Sequence, residues 1–177
     1  MWPLFGVIWQ SGEVLARLMC TQDIKNKKIL EIGCGIGLSS LVLNHRHADI
    51  TATDYNPEAK IFLDKNVLLN EAKQIQFQLC DWKEESSSLG KFDLVIGSDV
   101  LYQGDHPKLL SSFINKHTTE DGEVIIVCPK RGYQNKFNRE MEAFNFVHAQ
   151  IRPLNTDYLE KVFNGHIHTY KRIPTFS

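Results

Sequence analysis

The chain has 177 residues, 42% hydrophobic and 23% charged, which suits one domain burying about two thirds of its unfolded surface and leaves little for a second core. Its formal net charge of −1 gives no general attraction to polyanions. Basic residues form no patch, since Asn26 interrupts Lys25, Lys27 and Lys28 while Lys130-Arg131 and Lys171-Arg172 are isolated pairs, so neither nucleic acid nor a membrane is an expected partner.

The start, "MWPLFGVIW", lacks a basic leader and a small-residue cleavage site and is too short to span a bilayer. Cys20, Cys34, Cys80 and Cys128 share no CxxC spacing and sit mostly among apolar neighbours, which suits buried thiols in a reducing compartment. The expectation is a cytoplasmic monomer forming a single domain over 1–177, with residues 1–22 as an amino-terminal helical segment.

In chain order, 11–20 predicts a helix with a serine cap and Val14, Leu15, Leu18 and Met19 on one face. A strand over 27–33 ends in glycines, followed by a helix over 37–46 and a strand over 49–55. Pro57 suits the first turn of a helix over 58–70, with Ile61, Phe62, Val67, Leu68 and Leu69 as its buried side. Period-two alternation of Ile75, Phe77 and Leu79 predicts a strand over 75–82, and "KEESSSLGK" (83–91) reads as an exposed loop. An apolar strand run over 92–102, a helix over 106–117 and a strand over 122–130 complete the alternation.

Five strands alternating with helices imply a doubly wound, Rossmann-like α/β domain with helices on both faces. The tail predicts a helix over 133–144 and strands over 144–152 and 166–173, separated by about thirteen residues with room for a turn of helix and a reversal. The last strand is expected antiparallel beside the fifth, making a mostly parallel seven-stranded sheet in the order 3-2-1-4-5-7-6.

Open α/β sheets place ligands at the carboxyl ends of the strands. Here Gly33-x-Gly35-x-Gly37 follows the first strand, but Leu38 stands where a dinucleotide fingerprint needs its third glycine, and no Gly-Lys-Ser/Thr makes a phosphate loop. A cofactor without phosphate fits better. Glu31 suits a cationic amino group, Asp54 can accept bonds from both ribose hydroxyls, and Asp81 can accept from an adenine amine while Trp82 contacts the ring. Amino-acid end, ribose and adenine, in strand order, describe S-adenosylmethionine. Cys34, Tyr55 and Asn56 complete the expected cofactor-binding set with Ser98.

Across nearly its whole length the sequence resembles a class I methyltransferase, and more narrowly the seven-β-strand protein lysine methyltransferases. The resemblance is carried by "GVIWQSGEVLARLM" (6–19), "ILEIGCGIGLSSLVL" (29–43), "TATDYNPEA" (51–59), "LCDW" (79–82) and "FDLVIGSDVLYQ" (92–103). It implies that Trp9 lies beside the cofactor, that Trp82 borders the adenine, and that Asp99-Val100-Leu101-Tyr102 lines the acceptor pocket. The family carries more sequence before the tryptophan matching Trp9 than the eight residues here, so a reduced substrate-selecting surface is expected.

The expected reaction is methyl transfer from S-adenosylmethionine to a protein lysine, leaving S-adenosylhomocysteine. Asp99 is the expected catalytic residue that binds the incoming ammonium, and Tyr102 a wall of the acceptor channel. Ser98 and Gly97 are expected near the methionine part of the cofactor. Cys34 is a small neutral filler rather than a nucleophile. No metal site is expected: His45/His47 and His166/His168 lack a third ligand and read as solvent-exposed. The fourth strand does not end in the Asn/Asp-Pro-Pro-aromatic motif of nucleobase amino methyltransferases. Rival readings are methylation of a small amine, a pyridine nitrogen or a protein histidine, and a noncatalytic cofactor-binding module.

Overall fold

The computed structural model describes residues 6–84 and 88–173. Residues 1–5 of the apolar start, 85–87 of the expected loop and 174–177 lie outside the described residues.

Strands β1 (Lys28–Ile32), β2 (Asp49–Asp54), β3 (Gln76–Leu79), β4 (Phe92–Ser98), β5 (Thr118–Cys128), β6 (Phe146–Ile151) and β7 (His166–Arg172) form one sheet in the order β3-β2-β1-β4-β5-β7-β6. Strands β1 to β5 run parallel, and β7 lies antiparallel between β5 and β6, the topology expected from the sequence. The helices are α1 (Gln10–Met19), α2 (Leu38–His45), α3 (Pro57–Leu69), α4 (His106–His117) and α5 (Gln134–Ala143).

The near-continuous apolar runs of the central strands follow from burial on both faces. Leu30, Ile32, Val95, Val124 and Ile126 share one core with Leu110, Phe113 and Ile114 of α4 and Phe137 and Met141 of α5. Their neighbours along the strands, Ile29, Leu94, Ile96, Ile125 and Val127, face the other way into a core with Val14, Leu15 and Met19 of α1, Leu43 of α2 and Leu63 and Val67 of α3. Each fully buried Leu, Ile or Phe contributes roughly 1.5–3 kcal/mol.

Several local expectations change. Helix α1 begins at Gln10 with Trp9 as its N-cap and no side-chain cap, so Ser11 is buried inside the helix rather than capping it. Helix α3 buries Ala59, Leu63 and Val67, a spacing of four that follows one helical face, while Ile61, Leu68 and Leu69 point outward. Pro57 does open α3, and the Asn56 side chain caps it by accepting the Glu58 N–H at 2.9 Å.

Strand β3 is shorter than expected because it is an edge paired only with β2, and Leu79 at its end is exposed. Within 83–91, Leu89 is buried in the core beside Phe92. Strand β5 begins four residues early, where Thr118 pairs with Phe92 across a register shift. Residues 153–165 form turns without a helix, the Leu159 N–H donating to the Thr156 carbonyl at 3.0 Å. His45 and His47 are exposed, but His168 is buried, hydrogen-bonded to His148 at 3.0 Å on the neighbouring strand. Among the described residues no helix is long and apolar enough to cross a membrane.

Candidate active site at the carboxyl ends of β1, β2 and β4

Strand β1 ends in a loop whose three glycines have φ of 59°, 54° and 77°, a left-handed path that side chains with a Cβ resist. The loop is tied to β2 by the Cys34 N–H, which donates to the Thr53 carbonyl at 2.9 Å. Gly37 is also required by packing, since a Cβ there would lie 2.3 Å from Leu63 Cδ1 on α3.

Beyond the loop opens a cavity of about 530 Å³. Glu31 faces it from β1, and its Oε2 accepts the Ser40 N–H at 2.9 Å and the Ser40 hydroxyl. Burial raises the Glu31 carboxyl to about 7, against the lowering effect of the Ser40 bonds. Asp54 closes β2; its Oδ2 accepts the Gly35 N–H and its Oδ1 the Asn56 N–H, each at 2.9 Å. Burial raises this carboxyl too. The Cys34 thiol is held well above its ordinary value by burial and by Glu31 and Asp54, which suits a neutral filler.

Asp99 follows β4 with φ of 53°, sparsely populated for a residue other than glycine, and its N–H donates to the Val127 carbonyl at 2.9 Å. This turn presents the carboxylate at the cavity, where Arg131 grips it with two bonds: Nε donates to Oδ1 at 2.5 Å and Nη2 to Oδ2 at 2.6 Å. The guanidinium carbon lies 6.0 Å from the centre of the Trp9 ring. Tyr102 lines the same wall, its ring 4.5 Å from His106, whose other neighbour is Trp82 at 5.3 Å. His106 Nδ1 donates to the Val100 carbonyl at 2.8 Å, which fixes this aromatic row to the β4–α4 connection. Burial, with Tyr55, Asp54 and Asp99 nearby, raises the Tyr102 hydroxyl.

The cavity thus brings together Trp9, Glu31, Gly33, Cys34, Gly35, Asp54, Tyr55, Asn56, Trp82, Ser98, Asp99 and Tyr102. Gly37 shapes the loop from behind and is not in the lining. Asp81, expected at the adenine, is exposed outside the lining, and its Oδ1 accepts the Lys83 N–H at 3.0 Å in the turn after β3. Gly97, expected near the methionine part, is instead packed where a Cβ would meet Ile32 Cγ1 at 2.8 Å.

Sequence reasoning missed Arg131 and His106. The only sequence trace of Arg131 is an isolated basic pair, and its partner lies 32 positions away. The His106 role depends on a fold that sets its ring between two aromatic residues. Among the described residues no group of three or more His, Cys, Asp or Glu side chains is placed to hold a metal ion.

Comparisons with known proteins bear on the family and the fold. The chain is 29% identical over 145 residues to the protein N-lysine methyltransferase METTL21A of Danio rerio, which covers 75% of this chain and 65% of that protein. It is 35% identical over 109 residues to the histidine protein methyltransferase 1 homolog of Dictyostelium discoideum, covering 59% of this chain and 35% of that protein. The chain therefore spans less than two thirds of the length of either relative. A solved methyltransferase from Pyrococcus furiosus superposes with a TM-score of 0.74 at 15% identity over 97% of this chain and 87% of that one, which shows the shared fold. A family model described as lysine methyltransferase matches residues 4–146. With that match over most of its length, the chain belongs to the lysine methyltransferase family, whose methyl donor is S-adenosylmethionine.

Proposed function

We propose that this protein transfers a methyl group from S-adenosylmethionine to the side-chain amine of a lysine in a protein substrate. The observation that carries the reading is that Asp99 and Tyr102 face the same cavity as Glu31, the glycine loop and Asp54, so a donor seat and an acceptor seat adjoin. When bound, the donor supplies a methyl carbon made electrophilic by the sulfonium.

Glu31 is suited to the donor's ammonium, the glycine loop lets backbone approach closely, and Asp54, already oriented by two N–H donors, has lone pairs for ribose hydroxyls. Trp82 offers a face to the adenine without Asp81. The acceptor must arrive as a neutral amine, and freeing lysine of its proton at pH 7 costs roughly 4–5 kcal/mol from an unperturbed pKa near 10.4. Asp99 binds the ammonium and orients proton loss toward solvent, while Tyr102 walls the channel and aligns the nitrogen lone pair. The same reading makes the chain one catalytic domain whose amino-terminal segment borders the donor at Trp9 and Gly12, acting as a cytoplasmic monomer.

The test is incubation of the purified chain with methyl-labelled S-adenosylmethionine and lysate of its own cells. A discrete labelled protein, lost with Asp99→Ala and yielding methyl-lysine on hydrolysis, supports the proposal. The relative named as a histidine methyltransferase favours one second reading. Methyl-histidine in the hydrolysate would establish it, and label confined to small molecules would replace both.

A further inference from the structure

The structure holds a second cavity, of about 230 Å³, that shares Arg131 with the first. Its wall is cationic and amide-rich, with Lys130, Arg131, Gln134, Asn135 and Gln150, and no carboxylate is in its lining among the described residues. His166 and His168 also line it, and burial with neighbouring cations or imidazoles favours their neutral forms. Gln134 and Asn135 open α5, whose amino terminus has no side-chain cap and no acidic residue in its first turn, so its partial positive charge is uncompensated.

Between the cavities, Arg131 donates one bond to each oxygen of Asp99 and pairs with its charge. Asp99 is its carboxylate partner in the ion pairs among the described residues. On the reading that Asp99 receives the acceptor's ammonium, the seat is filled beforehand by the protein's own cation. An acceptor bringing only a cation would displace Arg131 and leave a guanidinium beside an already cationic cavity. An acceptor bringing a cation and an adjacent anion exchanges one ion pair for two.

The geometry points to a dipolar acceptor: the two cavities select a lysine whose sequence neighbour is aspartate or glutamate, the ammonium replacing Arg131 at Asp99 and the carboxylate taking Arg131 and Lys130 in the second cavity. Arg131 is a specificity-determining residue in this scheme, and a lysine within a basic tract is a poor acceptor.

The test uses the full chain saturated with S-adenosylhomocysteine and four capped dipeptides, Lys-Glu, Glu-Lys, Lys-Gln and Lys-Lys, with affinities from NMR shift titration and methylation followed separately with S-adenosylmethionine. One of the two glutamate peptides should bind about tenfold or more tighter than Lys-Gln, and Lys-Lys weakest. R131Q should erase the glutamate preference, bringing the glutamate peptides to the affinity of Lys-Gln, and K130Q, which leaves the Asp99 pair intact, should reduce it. Equal affinities of the glutamate and glutamine peptides, no binding by any of the four, or a glutamate preference unchanged in R131Q overturns the inference. Methylation without charge preference overturns it while leaving the methyltransferase reading standing. Peptide affinity unchanged in D99N removes Asp99 as the acceptor seat and overturns the inference, while methyl-lysine formation still decides the methyltransferase reading.

Discussion

Glu31 is locked to the first turn of α2 by Ser40, whose backbone N–H and hydroxyl both donate to the same carboxylate oxygen. The pair fixes the side chain without cancelling the effect of burial, and the carboxyl stands at about 7. Near neutrality the group therefore exists in both protonation states.

A ligand carrying an ammonium at Glu31 favours the ionised form. In the ligand-free protein the raised carboxyl holds its proton between the unfolded value, 4.5, and about 7, so its contribution to stability is largest below 4.5 and is lost as pH rises through 7. Ligand affinity has the opposite sign. Calorimetric titration with S-adenosylhomocysteine should show binding strengthening as pH rises toward 7, by up to about tenfold per unit, and levelling above it. Asp54 shifts in the same direction, so Glu31→Gln separates the two by flattening the profile. A flat wild-type profile would exclude Glu31 as the ammonium's partner.

Asp99→Asn keeps a residue that tolerates φ of 53° while removing the charge. Methyl transfer should fall by about 10²–10⁴-fold, with S-adenosylhomocysteine affinity unchanged within about twofold. Loss of donor binding alongside turnover would place Asp99 in the donor seat instead.

Gly37→Ala combines left-handed backbone with a Cβ 2.3 Å from Leu63 Cδ1. Thermal melting should show a loss of about 2–4 kcal/mol, from the backbone penalty and overpacking together. Adding Leu63→Ala should recover part of the steric share, so the double mutant should be more stable than the sum of the single effects predicts.

His106→Ala removes the bond to the Val100 carbonyl and the ring between Trp82 and Tyr102. A stability loss of about 1–3 kcal/mol is expected, with KM for the acceptor rising more than donor affinity changes. An unchanged acceptor KM would confine His106 to folding.

The strand order and the gathering of Glu31, the glycine loop and Asp54 at one cavity were legible because they rest on local signals. Apolar runs at strand length, a glycine loop after the first, and carboxylates at strand ends are each written within a few residues. What escaped depends on distance in sequence. The hold of Arg131 on Asp99 joins two loops that only β4 and β5 bring side by side. Asp81 fits the expected pattern in spacing, but its side chain closes a turn with the Lys83 N–H instead of facing the cavity. The outward Leu68 and Leu69 show the same limit in a helix, where hydrophobicity marks the segment and the four-residue spacing of Ala59, Leu63 and Val67 marks the face.

Among the described residues strand β6 pairs with β7 alone, which follows it in the chain and separates it from β5. Strands β1 to β5 pair with one another without it, so β6 stays unpaired until β7 docks between it and β5. The half of the sheet that holds the second cavity, with His166 and His168 in its wall, is completed last. A chain without residues 166–172 in place would therefore leave the β5 edge unpaired, a template for pairing with neighbouring chains.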